Sequence, residues 1–501
     1  MSNPASTDAV ATRTPGTGDF DDETFRRAAH QAVDWIADYL RDIDRYPVLA
    51  RVAPGEVRAS LPESAPTSGE SLDTMLADFQ RLIVPGVTHW NHPGFFAYFS
   101  VSASTPGILG EMLAAALNVN GMLWRTSPSA TELEEVALGW LRQMLGLADE
   151  WFGLITDTAS ISTLLALAAA REAREELGVR ERGLAGRSDL PRMRVYCSAQ
   201  AHSSVDKGAI TLGLGHENVV RIGVDEAFRM RADLLADAIA ADVAAGYIPI
   251  ACVATVGTTS TTSVDPVPAI ADICARYGVW LHVDAAYGGA MAVVPEFRAL
   301  FDGVDRADSL VVNPHKWLFT PIDCSALYTR RPEVLRRAFA LVPAYLTTDD
   351  GGAANLMDYG VQLGRRFRAL KLWMVLRGFG SEGIAARIRA HVALAQEFAA
   401  WVAAEPEWEV VAPTPMSTVC CRFAPAGLTD TECDALNERI IAAVNASGRV
   451  FLSHTVLHGR LVIRLAIGNI RTEHRHVADA WSLLRESAAA VTSEPSAPVR
   501  T

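Results

Sequence analysis

Disulfide and zinc chemistry are the first things this sequence lacks. Its seven cysteines (Cys197, Cys252, Cys274, Cys324, Cys420, Cys421, Cys433) are odd in number, form no CxxC pair and fall mostly inside apolar runs. That pattern excludes a disulfide scaffold and a zinc ribbon, and is read as a reduced, cytoplasmic protein. Positive charge is also scarce: 45 Lys and Arg stand against 58 Asp and Glu, a net -13 with no basic cluster, so a nucleic-acid partner is not expected. No stretch reaches the ~18 uninterrupted apolar residues of a membrane span. The opening MSNPASTDAVATRTPGTGDFDD has neither an apolar core nor a basic leader, so the expectation is neither membrane insertion nor secretion. No internal repeat is visible.

What is present is an alternation of patterns. Residues 1–18 and 488–501, rich in Ser, Thr, Pro and Ala without an apolar period, are expected to be disordered tails. Apolar positions 25, 29, 32, 33, 36, 39, 40 and 43 predict an amphipathic first helix, a Pro-rich passage follows, and a second helix is expected from about Ser71. This makes 19–104 a helical and extended N-terminal segment. From 105 to 375, short apolar runs (RMRVYCS, IPIACVATV, VWLHVDA, SLVVN) alternate with helical patterns. Runs of that kind fit strands covered on both faces, hence an α/β domain with a mostly parallel sheet. In DPVPAIADICARYG, Asp265 is placed to cap a helix, with Pro266 at its first position and Gly278 just past its end. Residues 376–487 mix helices with STVCCRF and RLVIRLAI, predicting a smaller α+β domain.

In a doubly wound sheet, ligands sit where strands end and helices begin. His202 follows one strand, Thr258 a second, Asp284 a third, and Asn313, His315 and Lys316 a fourth. A fifth run, GLITDTASISTLLALAAAREA, turns from strand to helix at Thr158, Ala159 and Ser160, offering free amides and hydroxyls to an anion. An apolar surround for Lys316, in LVVNPHKWLF, lowers the basicity of its amine and leaves more of it neutral and nucleophilic. An amine, a carboxylate and an anion cup are what pyridoxal 5'-phosphate requires.

The set HSSVDKG, TVGTTSTTSVDP, HVDAAYGG and NPHKWLF, with NHPGFFAYF and GRRFRALKLW, resembles the group II pyridoxal-phosphate-dependent decarboxylases. It is most similar to their aromatic-L-amino-acid decarboxylase branch, from about residue 20 to 487. The resemblance implies a fold type I PLP-dependent transferase architecture: a seven-stranded, mostly parallel central sheet, an N-terminal helical arm and a small C-terminal domain. It implies Lys316 as the Schiff-base lysine, Asp284 paired with the ring nitrogen, His202 stacked on the ring and Ala286 against its other face. Thr158, Ala159, Ser160, Thr258, Asn313 and His315 complete the cofactor set. Tyr345, in LVPAYLTTDDGGAANLMDYG, would supply the proton that replaces departing carbon dioxide. The implied reaction releases an amine from an amino acid, and the implied assembly is a homodimer embraced by the N-terminal arm, with the Tyr345 loop reaching the neighbouring site.

Tyr98, Phe99, Val101, Met122, Trp124 and Arg464 are expected at the substrate, and their aromatic content favours tryptophan, phenylalanine, tyrosine or dihydroxyphenylalanine. Arg464, set between apolar residues, would bind the substrate carboxylate or steady the cofactor end, against the alternative of a buried salt bridge. Aldehyde formation and decarboxylation of a non-aromatic amino acid stay open as alternatives. Asp157 stands before the anion cup where the family commonly has glycine. GFGSEG at 378–383 matches a dinucleotide fingerprint and raises a nicotinamide-dependent dehydrogenase as a rival, but it follows a helical pattern where the fingerprint needs a strand. A chain that keeps the fold without catalysis is the other rival. His474 and His476, two apart on a helix, do not share a face, and no metal is assigned.

Overall fold

The computed structural model describes residues 18–341 and 354–493. The chain divides into two compact units, 1–89 and 90–501, so residues 90–104, grouped with the arm on sequence, count with the second unit.

In the first unit the periodic stretch forms the helix Asp22–Arg41, whose N-cap Asp21 accepts from the Thr24 amide at 2.9 Å. Ser71 caps the helix Leu72–Asp78 in the same way, through the Thr74 amide. Trp35 stacks on Tyr39 at 5.2 Å and meets Phe79 edge-on at 4.9 Å. The first helix nevertheless buries only Ala28, leaving Phe25 64% exposed.

The second unit holds the expected sheet. Its strands are β1 (Phe152–Thr156), β2 (Met193–Ser198), β3 (Val219–Ile222), β4 (Ile248–Thr255), β5 (Trp280–Asp284), β6 (Ser309–Val312) and β7 (Ser325–Thr329). They lie in the order β1-β7-β6-β5-β4-β2-β3, with β7 antiparallel to both neighbours and the pairs between β6 and β3 parallel. Period-2 alternation splits each strand between two cores: Cys252 and Ala254 face one, Ala251 and Val253 the other. Both faces are therefore covered, and each fully buried Val or Leu contributes about 1.5–3 kcal/mol.

A second sheet, β8 (Trp408–Val410), β9 (Thr418–Phe423), β10 (Ser453–Leu457) and β11 (Arg460–Ala466), is antiparallel in the order β10-β11-β9-β8. The final helix, His474–Ser493, packs on it and buries Ala488 and Val491. The helix thus continues past residue 488, where a tail was expected to begin, because an apolar face runs on through the Ala-rich stretch.

Two details of punctuation differ from expectation. Asp265 does not cap the helix Val267–Tyr277; its two carboxylate oxygens accept from the Met230 and Thr255 amides, at 2.7 and 2.8 Å. Burial raises its pKa to about 6. GFGSEG is helical on both sides of Gly380, whose φ of 61° and ψ of 172° break the run Arg368–Ala404. A strand-turn-helix phosphate loop is therefore absent there. No helix among the described residues is long and apolar enough to cross a membrane.

Candidate active site

The parallel register brings Asp284 level with Thr255 on one side and Val311 on the other, so the C-terminal ends of β4, β5 and β6 open together. They form a cavity of about 430 Å³. Thr158, Ala159, Ser160, His202, Asp284, Ala286, Asn313, His315 and Lys316 all line it, with Tyr98, Phe99, Val101 and Arg464. The chain has only three lysines, Lys207, Lys316 and Lys371, so the one in this cavity is conspicuous.

Lys316 stands 5.3 Å from the centre of the Phe99 ring. Burial lowers its pKa, the charge of Arg464 lowers it further, and Asp284 opposes both. Asp284 is itself buried, and its Oδ1 accepts from the Ala286 amide at 3.0 Å, which aims the carboxylate at the strand end. His202 accepts from the Ser204 amide on Nδ1 at 3.1 Å. Burial lowers its pKa, so the neutral ring carries its proton on Nε2.

At the β1 turn, Ala159 and Ser160 open the helix Ala159–Glu172 and have no intrahelical acceptor for their amides. Across from them, His315 Nδ1 accepts from the Cys324 amide at 3.0 Å, and burial pushes its pKa down to about 3. The neutral ring then donates from Nε2, 3.3 Å from the Asn313 amide. That hydrogen needs an acceptor, so the Asn313 oxygen belongs on the His315 side. The other end of the amide is a buried group without a partner, hence an NH2 donor in the cavity wall. Arg464 donates from Nε to Ser260 O at 3.0 Å and from Nη1 to Tyr98 O, and stacks 4.5 Å over Phe99. Among the described residues it has no carboxylate partner, and its Nη2 is buried and unpartnered. The salt-bridge alternative for this residue is not met.

Three expected residues lie elsewhere. Thr258 is fully buried and folds its own loop, its Oγ1 accepting from the Ser263 amide at 3.0 Å, while Gly257, Thr259 and Ser260 face the cavity. Met122 packs with Leu123 and Met357, and the Trp124 indole donates to Glu132 at 2.8 Å. Neither lines this chain's cavity, because the Met122–Trp124 turn is pinned to Asn355 and Met357. Tyr345 lies outside the described residues.

Sequence reasoning missed Trp90, Tyr287 and the β10 residues Ser453–Thr455 as lining groups. Tyr287 sits in the quoted HVDAAYGG run and stacks on Phe99 at 3.8 Å and on Trp317 at 4.7 Å. The β10 residues arrive from the second sheet and carry no local signal. His474 meets Glu397, His476 accepts from the Glu473 amide, and no metal-holding group of His, Cys, Asp and Glu occurs among the described residues.

A buried amine, a buried carboxylate and a cup of amides around an orphaned amide group fit pyridoxal 5'-phosphate. Fold and site together define a lysine-dependent enzyme of the pyridoxal phosphate class. The pyridoxal-dependent decarboxylase conserved domain matches residues 54–424, and the chain belongs to that family. It is 42% identical to tyrosine decarboxylase 4 of Petroselinum crispum over 487 residues, covering 94% of both chains. It is 41% identical to phenylacetaldehyde synthase of Arabidopsis thaliana, covering 93% of this chain and 96% of that one. The solved structure of Oryza sativa TDC with PLP and tryptamine superposes with a TM-score of 0.90 at 38% identity, over 94% of this chain and 99% of that one.

Proposed function

We propose that this chain removes the carboxylate of an aromatic L-amino acid, releasing the amine and carbon dioxide. The observation that carries the reading is the single cavity that joins Lys316 and Asp284 to an aromatic wall of Trp90, Tyr98 and Phe99. When bound, pyridoxal 5'-phosphate supplies an electron sink. Around it, Lys316 would offer an amine of lowered basicity to the aldehyde, and Asp284 would hold a proton on the ring nitrogen. The Ala159 and Ser160 amides and the Asn313 side chain would hold the phosphate, and His202 would pack against the ring. Arg464, with its unpartnered Nη2, would orient the substrate carboxylate, and Tyr345 would return the proton. Amine release should be measured in parallel on tryptophan, phenylalanine, tyrosine and dihydroxyphenylalanine, with borohydride used to fix the cofactor to Lys316. Cofactor fixed to Lys207 or Lys371, or no amine from any of the four, overturns the reading.

A second product is kept open by the likeness to phenylacetaldehyde synthase. Aldehyde and peroxide formed under air, in place of amine, mark that outcome. Tyr345→Phe should shift output from amine toward aldehyde, and unchanged amine output would remove Tyr345 from its role.

The working form is proposed to be a homodimer. On the helix Thr105–Leu117, Leu109, Met112, Leu113 and Leu117 are all exposed, as are Phe25 and Val33 on the first helix, and a second copy is the occupant that would cover both faces. Dilution to monomers should abolish activity. The seven cysteines, all buried and unjoined, support a cytoplasmic setting.

A further inference from the structure

We propose that Asp157 loosens the site's hold on the phosphate of its cofactor, so that the bound group exchanges and activity follows cofactor supply. The inference rests on the reading that this cavity holds pyridoxal 5'-phosphate. Asp157 opens the turn between β1 and the helix Ala159–Glu172. Its Oδ1 accepts from the Thr158 amide at 2.5 Å and from the Thr158 hydroxyl at 3.2 Å.

Two consequences follow for the cup. Thr158's amide and hydroxyl are engaged by Asp157, which leaves Ala159 and Ser160 as the free donors of the turn. Asp157 does not itself line the cavity, but backbone bond lengths place a group at that distance from Thr158 N within about 6 Å of Ala159 N. Negative charge so close raises the free energy of a bound phosphate.

Among the described residues no cation in the cup offsets it. Asn313 is neutral, and His315 is neutral above pH ~4 given its pKa of about 3. Lys316 is reserved for the aldehyde end, and Arg464 is fixed on Phe99 and Ser260. Arg368, outside the cup, lies within electrostatic reach of Asp157 but divides its single positive charge between that carboxylate and Asp323, to which its Nε donates at 2.8 Å. That this turn faces an anion is indicated independently by the Asn313 amide, 3% exposed, with one end unpartnered.

The test compares two aldehydes on the full-length chain freed of cofactor. Pyridoxal 5'-phosphate carries the phosphate and pyridoxal does not. Asp157→Asn keeps an acceptor for Thr158 and removes the charge. It should bind pyridoxal 5'-phosphate about tenfold tighter and lose it more slowly on dialysis, with pyridoxal affinity unchanged. Asp157→Gly reads the same ratio should the asparagine variant not accumulate as folded protein. A ratio of the two affinities that stays constant, or falls, overturns the proposal. Wild-type protein that takes up neither aldehyde overturns the functional reading instead.

Discussion

The two ends of the central sheet are built on opposite principles. At the N-terminal ends of β4, β5 and β6 lies a cavity of about 300 Å³ lined by Arg174, Arg306, Arg331, Asp308 and Trp280. Each arginine there is matched. Arg174 donates to Pro249 O and Gly278 O, both at 3.1 Å, and Arg306 meets Asp272 at 2.7 Å. Arg331 lies 5.1 Å over Trp280 and 3.7 Å from Asp308. The Arg174 bond to Gly278 O places a cation at the C-terminus of the helix Val267–Tyr277, as helix dipoles favour. At the C-terminal ends, the Asn313 amide, the Thr255 hydroxyl and Arg464 Nη2 are buried without partners, beside an amine whose basicity is depressed. Both ends are polar and concave. What separates them is satisfaction: one edge completes its hydrogen bonds internally, the other holds them open for a ligand.

Removing the open groups should therefore cost function, in order of their closeness to the chemistry. Lys316→Ala should lower kcat by about three orders of magnitude or more and abolish borohydride-stable cofactor labelling. Activity within tenfold of wild type would break the contrast between the two edges. Asp284→Asn should cost about 10²-fold while Lys316 is still labelled, because the ring nitrogen loses its anionic partner. Loss of labelling in that variant would mean a structural role for the carboxylate instead.

Acid should also weaken the fold. Burial holds the pKa of His315 at about 3 and those of His282 and His391 at about 4. The unfolded chain takes up those protons near pH 6.5, so the stability from keeping the rings neutral is lost progressively as pH falls below that value. Asp265 acts in the opposite sense. Its folded pKa is raised to about 6, so its cost to the fold is relieved as pH falls through that value. The histidines dominate, and a net loss on the order of 4 kcal/mol is expected between pH 7 and 5 in urea titrations. A flat profile contradicts it. Arg464→Met should shift the pH dependence of Lys316 modification in the cofactor-free chain to higher pH, since a charge that depresses the amine is gone. An unshifted profile would leave Arg464 with the substrate alone.

The sequence made much of the open end legible. Parallel strands buried on both faces leave apolar runs, and the residue after each run lies by construction at the ligand edge, which located His202, Asp284, Asn313, His315 and Lys316. Groups delivered from other elements were not legible. Ser453–Thr455 belong to the second sheet, and nothing in SHTVL marks them as facing a cavity. Adjacent residues of one type were also ambiguous: Thr258 was expected where Thr259 faces the site, since spacing does not say which hydroxyl the loop consumes. Asp265 has the residue type of a cap and instead staples two amides from distant segments, which no local rule distinguishes. The matched N-terminal edge left no sequence signal at all, because its three arginines come from three separate segments.

That edge supplies the smallest expected effect and the sharpest control. Arg174→Met keeps the aliphatic stem and removes two charge-assisted bonds to Pro249 O and Gly278 O. Gly278 is the left-handed C-cap, at φ 63°, of the helix Val267–Tyr277, so its carbonyl would turn to solvent rather than stay buried. The loss should be about 1–2 kcal/mol in urea titrations, with kcat/KM and cofactor affinity unchanged. If cofactor affinity fell by more than the stability loss accounts for, the two edges would be coupled through β4 and β5, and internal satisfaction at one end would no longer be independent of the opening at the other.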